Sequence, residues 1–240
     1  MIDGQEVRVW ICLAQNKTSG LSCGHRQTEQ PGFYRTKILP HILYIDIERS
    51  LGEFYAYDRK VPSGYMSIEM LKTEPFIICY AAGWVTKSGD FQYIFSDCVR
   101  QDEALRRDDS RVMESLWRLM NDADYIVGHN VRRFDDKKVN ERFISLGMTA
   151  PTEYKTIDTY VWSKAKFDFM SNGLNYIAPK LGGTPKQEVT RDDWIEVVET
   201  GNRDTLMKVE EYCRGDVREG IHVFRREWDY IESSGKQVFK

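Results

Sequence analysis

His41-Ile42-Leu43-Tyr44-Ile45-Asp46-Ile47-Glu48 is the stretch on which the fold turns. Ile42 to Ile47 is apolar and rich in β-branched residues, which suits a strand buried on both faces. Side chains alternate along a strand, so Asp46 and Glu48 point to the same face. Two carboxylates in an apolar strand repel one another and are costly to desolvate. A hard cation removes both difficulties, because Mg²⁺ and Mn²⁺ prefer oxygen ligands. The plainer alternative is a strand that stops at Ile45, with both acids in water.

Two further clusters lie downstream. Tyr125-Ile126-Val127 is a second short apolar run, ending at Gly128-His129-Asn130. The pattern then turns helical: Phe134, Val139, Phe143 and Leu146 recur at helix-like intervals, and Gly147 supplies a stop. Asp135 therefore falls in the first turn of a helix that follows a strand, where parallel α/β sheets collect their ligands. Taken alone, it would serve equally well to complement the positive helix end. In the third cluster Leu206, Val209, Cys213, Val217, Ile221 and Phe224 form an apolar helical stripe. Tyr212 and Asp216 are i and i+4 on that helix and share a face. A metal-bound carboxylate one turn from a phenol sets a hydrogen-bond donor beside a metal-bound water. The alternative is a surface tyrosine with a solvated aspartate.

In their order along one chain, the three clusters resemble the motifs of the DEDD superfamily of 3′–5′ exonucleases. Asp46 and Glu48 match its Asp-x-Glu motif; Asn130, Phe134 and Asp135 match Asn-x-x-x-Phe-Asp. Its third motif is Tyr-x-x-x-Asp in one branch and His-x-x-x-x-Asp in the other. Here Tyr212 and Asp216 fit the first form, and Glu211 stands where a histidine would be needed. The chain thus looks like the tyrosine branch (DEDDy), shared with proofreading domains of DNA polymerases. Ile157-Asp158-Thr159 and Ser171-Asn172-Gly173-Leu174-Asn175-Tyr176 are similar to stand-alone exonuclease-like proteins of bacteriophages. The likeness runs from about residue 40 to 230. Gly215 departs from the bulkier residue expected there, and a mid-helix glycine costs about 1 kcal/mol.

The resemblance implies an α/β fold: a ribonuclease-H-like mixed five-stranded sheet flanked by helices. It implies a metal-dependent 3′–5′ exonuclease that trims single-stranded DNA to nucleoside 5′-monophosphates. Two divalent cations, Mg²⁺ or Mn²⁺, on the order of 4 Å apart, would serve it. Asp46 would bridge them, Glu48 and Asp216 would hold the ion near the attacking water, and Asp135 would help hold the other. Tyr212 would orient that water. Asn130 and Phe134, with Arg132 and Arg133, are the candidate nucleic-acid contacts. Arg132, Arg133, Lys137 and Lys138 form a basic cluster around Asp135 that solvated helix charges would also explain. The implied partners are a 3′ end of single-stranded DNA or RNA and a separate DNA polymerase; the implied location is the cytoplasm of a phage-infected bacterium. Two other readings stand beside this one: a 3′–5′ exoribonuclease with the same site, and a non-catalytic nucleic-acid-binding replisome module.

Length and composition set the remaining bounds. The 240 residues are expected to hold one substantial core and a small appendage, with no room for a polymerase domain. The division read from the chain is an N-terminal extension at 1–38, an exonuclease domain at 39–233 and a tail at 234–240. A net charge of −3 is not that of a general nucleic-acid binder, although bound metal ions would reverse the local sign where phosphate docks. The five cysteines, Cys12, Cys23, Cys79, Cys98 and Cys213, are irregularly spaced and read as reduced thiols. No signal peptide or bilayer-length apolar run is visible, so no membrane role is expected.

Along the extension, Val7 to Leu13 suits a strand, and Cys23-Gly24-His25 with Cys12 hints at a degenerate zinc knuckle, although zinc sites usually need four ligands in paired spacings. A flexible extension or an added strand is the preferred reading. The core reads as strand 41–48, a meander including 76–85 and 91–95, helix 110–121 capped by Ser110, strand 124–129, helix 134–146, strand 155–158, and helices to the end. Val112, Met113, Leu116, Trp117 and Met120 should form the buried face of the helix after Ser110. Asp158-Thr159 should cap the helix that follows, with Tyr160, Trp162 and Phe167 packing nearby.

Overall fold

The structure is a computed structural model that describes residues 40–56, 66–86, 91–184 and 188–232. The strand and zinc knuckle expected before residue 39, and the tail at 234–240, lie outside these residues. Strand β1 runs Ile42–Arg49, and its Ile42, Leu43, Tyr44, Ile45 and Ile47 are at most 2% exposed. That burial on both faces comes from a central place in the sheet. β2 (Glu53–Phe54), a single 3₁₀ turn (Ile68–Met70) and β3 (Leu71–Thr73) belong to a side ribbon. β4 (Ile77–Val85) and β5 (Phe91–Cys98) follow. Helices α1 (Gln101–Arg106) and α2 (Ser110–Asn121) lead to β6 (Tyr125–Gly128). Then come α3 (Asp135–Ser145), β7 (Lys155–Asp158), α4 (Thr159–Lys166), α5 (Leu174–Lys180), α6 (Arg191–Thr200) and α7 (Arg203–Glu232).

The sheet is five-stranded and mixed, in the order β5-β4-β1-β6-β7. β4 is antiparallel to β1 and β5; β1, β6 and β7 are parallel. This is the mixed sheet flanked by helices that the resemblance implied.

The long helix α7 packs on one face, across β1, β4 and β5. Its apolar stripe is the expected one: Leu206, Val209, Cys213, Val217, Ile221 and Phe224 are all buried. Opposite Tyr44, Asp46 and Glu48 of β1 stand Gly83, Ala81 and Cys79 of β4. These small residues let the helix approach: a Cβ on Gly83 would come within 3.1 Å of Ile221. Tyr80, of opposite parity, turns to the other face and bonds the Ser115 hydroxyl of α2 at 2.7 Å. Val112, Met113, Leu116 and Met120 of α2 are buried there, as their spacing predicts, whereas Trp117, expected with them, is only partly buried and donates its indole N–H to the Thr149 carbonyl at 2.7 Å.

Several boundaries differ from the expectation, most of them by one residue. Helix α2 is preceded by Asp109, and Ser110 is its first residue instead of its cap. The Asp109 carboxylate does not cap the helix either; it takes the Ile77 amide at 2.8 Å and the Arg142 guanidinium at 2.6 and 2.8 Å. Strand β5 extends to Cys98, and the short helix α1 follows it, bound to β5 and α2 through Arg111. Helix α3 begins at Asp135, one residue late, and ends before Gly147, whose φ of +70° marks the expected stop. Gly215 does not interrupt α7; a Cβ there would meet nothing closer than Arg218 at 3.8 Å.

Candidate active site

The carboxylates come from three elements that meet at the end of β1. Asp46 and Glu48 leave it on the α7 side, half-buried between apolar neighbours. Asp135 enters from the first turn of α3 and is 3% exposed; its Oδ1 accepts the backbone N–H of Ile47 at 3.1 Å. Asp216 is on α7 and is 7% exposed. Tyr212 is one helical turn before it and half-buried.

Two groups report how close these acids are. Tyr44 is fully buried, and its hydroxyl lies against α7 where Gly220 leaves space; a Cβ on Gly220 would overlap the phenol. Burial, then the negative charges of Asp46, Asp135 and Asp216, hold the Tyr44 hydroxyl well above its ordinary range, against a lowering by Thr159. The Cys213 thiol is likewise raised, by burial and by Asp46, Glu48 and Asp216. Acids from β1, α3 and α7 thus share one locale, although they are up to 170 positions apart (46 to 216) in the chain.

The electrostatics of Asp135 are unbalanced. Burial raises its carboxyl from the ordinary 3.8 to about 7, opposed by backbone N–H groups and Lys138. Lys138 places its Nζ 3.5 Å over the ring of Phe134. Burial and nearby Arg49 hold this lysine below its usual range. A buried acid with so little compensation is the setting in which a bound cation is stabilising.

The loop that delivers Asp135 is built around Asp158. Its carboxylate accepts the amides of Asn130 and Arg132, and also caps α4 through the amides of Tyr160 and Val161. The cap was expected from the sequence; the two bonds to the loop were not, because they join residues 26 and 28 positions apart. Asn130 holds φ +68°, a left-handed conformation that asparagine tolerates. His129 ties the loop to its neighbour: its Nε2 faces the Asn172 carbonyl at 2.8 Å and its Nδ1 the Thr159 hydroxyl at 2.9 Å. A carbonyl only accepts, so Nε2 carries a proton.

The nucleic-acid candidates separate here. Phe134 and Arg133 are exposed beside Asp135. The Arg132 guanidinium instead donates to the Thr156 carbonyl at 2.6 Å, which gives it a structural partner on β7.

One member was not foreseen. Cys213 sits between Tyr212 and Asp216, with its Sγ 3.4 Å from the Asp46 carbonyl and 3.5 Å from Asp46 Oδ2. Ligand atoms of Asp46, Glu48 and Cys213 all lie within 4.8 Å of one another. Its only signal in the sequence is a place in the apolar stripe of α7, which reads as packing.

A model of the RNase H superfamily matches residues 65–227, more than half of the chain. The chain belongs to the RNase H superfamily. The matched span contains Asp135, Tyr212 and Asp216 and begins after β1. Among solved structures, this RNase H superfamily member is similar to a family B DNA polymerase from the hyperthermophilic archaeon Pyrobaculum calidifontis. The identity is 17% and the TM-score 0.55, over 78% of this chain and 24% of that one. The chain therefore spans about a quarter of that polymerase's length, and the likeness is one of fold. A comparison with curated proteins found no match.

The residues fit a divalent cation: RNase H-like nucleases use one, and the carboxylates of Asp46 and Glu48 converge beside Asp135 and Asp216. No helix among the described residues is long and apolar enough to cross a membrane.

Proposed function

We propose that this protein is a 3′–5′ exonuclease of the tyrosine branch that removes nucleotides from the 3′ end of single-stranded DNA. The observation that carries the reading is the meeting of Asp46, Asp135 and Asp216, from three separate elements, around the buried Tyr44 hydroxyl, with Glu48 beside Asp46. Family membership supports a nuclease, and the likeness to a DNA polymerase favours DNA.

Asp46, Glu48, Asp135 and Asp216 would hold divalent ions, Mg²⁺ or Mn²⁺. When bound, such ions lower the pKa of water and stabilise the leaving 3′ oxygen. Tyr212, one turn from Asp216, orients the attacking water through its hydroxyl. The Ile47 amide fixes Asp135 Oδ1, and the Asp158-centred loop fixes the backbone from which Asp135 starts. That rigidity keeps the oxygens in place without reorganisation during the reaction. Phe134 offers an exposed ring for a terminal base, and Arg133 a charge for a phosphate.

The test is direct. Purified protein is incubated with Mg²⁺ or Mn²⁺ and 5′-labelled single-stranded DNA, duplex DNA and RNA. A descending ladder from single-stranded DNA, abolished by EDTA, is expected. Immediate release of a labelled mononucleotide would reverse the polarity. Cleavage of a circular strand would indicate an endonuclease, and preferential trimming of RNA would move the substrate to RNA. Binding without turnover in any metal would leave a replisome module.

A further inference from the structure

The acids account for a site that holds hard ions, but they do not account for Cys213. We propose that Asp46, Glu48 and Cys213 form a site for a thiophilic divalent cation, Zn²⁺ or Cd²⁺, which competes with Mg²⁺. This inference rests on the reading of Asp46 and Glu48 as metal ligands.

The geometry is that of a mixed oxygen–sulfur site. Zinc takes sulfur at about 2.3 Å and carboxylate oxygen at about 2.1 Å, so the S–O edge of a tetrahedron is about 3.6 Å. Cys213 Sγ and Asp46 Oδ2 are 3.5 Å apart. A Glu48 oxygen completes a set whose members lie within 4.8 Å of one another. Three protein ligands are the number a reactive zinc site supplies, its fourth position going to water or substrate. The three ligands come from β1 and α7, two elements packed directly together, so side-chain shifts alone would draw atoms within 4.8 Å of one another to bonding distance.

The chemistry is an exchange. The thiol donates its hydrogen to Asp46, either to the backbone carbonyl or to Oδ2. A soft cation takes the place of that proton, which leaves to water, and no electron moves. Mg²⁺ does not make this exchange, because it prefers oxygen and binds thiolate poorly. The sulfur therefore discriminates between ions that the carboxylates alone would treat more alike. A thiophilic ion held by sulfur would occupy the Asp46 and Glu48 oxygens and displace the ion that supports hydrolysis.

Cadmium is the probe, because a Cd–thiolate bond absorbs in the ultraviolet where Mg²⁺ and free thiols do not. The reduced full-length protein is titrated with Cd²⁺, then challenged with excess Mg²⁺. A band that saturates at one equivalent and declines on addition of Mg²⁺ is expected. In Cys213→Ser the band should be lost and the ratio of Cd²⁺ to Mg²⁺ affinity should fall, with the melting curve checking the fold. Asp46→Asn keeps the sulfur and loses a carboxylate charge; its band should weaken as well. No band in the wild type would overturn the proposal. So would an undiminished band in both variants, which would place the ion on other thiols. Mg²⁺-dependent hydrolysis by the wild type is the separate readout of the function itself. Hydrolysis without a cadmium band removes the sulfur and keeps the nuclease; a band without hydrolysis does the reverse.

Discussion

Asp109 and Asp135 make an instructive pair. Each stands at the start of a helix that follows a turn, and they are 1% and 3% exposed. Asp109 meets a bidentate guanidinium from Arg142 and the Ile77 amide. Asp135 receives the Ile47 amide, with Lys138 acting only through its charge, and its carboxyl is pushed up to about 7. The protein gives the first a hydrogen-bonded cation and the second only the charge of Lys138, with no ion pair among the described residues. A buried acid with its own arginine reads as architecture; a buried acid left so little compensated, beside three others, reads as a place for an external ion.

The largest expected effect breaks the pair apart. Asp135→Asn should reduce Mg²⁺-dependent hydrolysis to background, while the metal-free protein at pH 7.5 melts at the same temperature as the wild type or higher. Activity assays and calorimetry on the same preparation check both halves. A variant that stays active would return Asp135 to a structural role.

Asp109→Ala should do the opposite. Removing one partner of a buried pair costs about 3–5 kcal/mol, because the other charge is left uncompensated. A fall of that size in denaturant unfolding is expected, with hydrolysis per folded molecule retained. A stability change near zero would mean that Arg142 is solvated on its own.

The pH dependence sharpens the same contrast. The folded carboxyl of Asp135 titrates near 7 against 3.8 for the ordinary group, so the folded state holds a proton that the unfolded chain has lost. Its contribution to stability is present below pH 3.8 and is lost as pH rises through 7. The metal-free protein should therefore lose stability from this group across that window, and saturating Mg²⁺ should oppose the loss. Denaturant midpoints at several pH values, for wild type and Asp135→Asn, isolate the contribution. Identical slopes for the two proteins would exclude it.

Smaller effects concern residues that hold no metal. Tyr212→Phe removes one hydrogen bond to a charged partner, worth roughly 1.5–3 kcal/mol, and each 1.36 kcal/mol is about tenfold in rate. Single-turnover cleavage at saturating Mg²⁺ should slow by about ten- to a hundredfold. A rate equal to the wild type would remove Tyr212 from the reaction. Arg133→Ala should have the least effect, lowering the slope of log affinity against log salt by about 1 if it meets one phosphate. An unchanged slope would leave Arg133 as a solvated charge.

Much of the fold was written locally. The β-branched run at Ile42–Ile47 forms the central strand, and the stripe from Leu206 to Phe224 is the buried face of α7. Periodicity is a property of neighbouring residues, so it survives in the sequence. Local pattern places the helix cap at Ser110, one residue late, because Asp109, in the cap position, has distant partners, Ile77 and Arg142, that no local pattern records. Asp46, Glu48, Asp135, Tyr212 and Asp216 were legible as candidates through spacing and resemblance.

By itself, the sequence determined which acids are available, which element each rides on, and which face of its strand or helix each occupies. Only the tertiary structure decided which charges are answered. It gave Asp109 an arginine and Arg132 a carbonyl, surrounded Asp158 with amides, and left Asp135 poorly compensated for its own burial. It also turned Cys213, a packing residue by its periodicity, toward Asp46. The reason is physical: alternation and helical phase are set by adjacent residues, whereas desolvation and charge compensation depend on whatever the folded chain brings within a few ångströms.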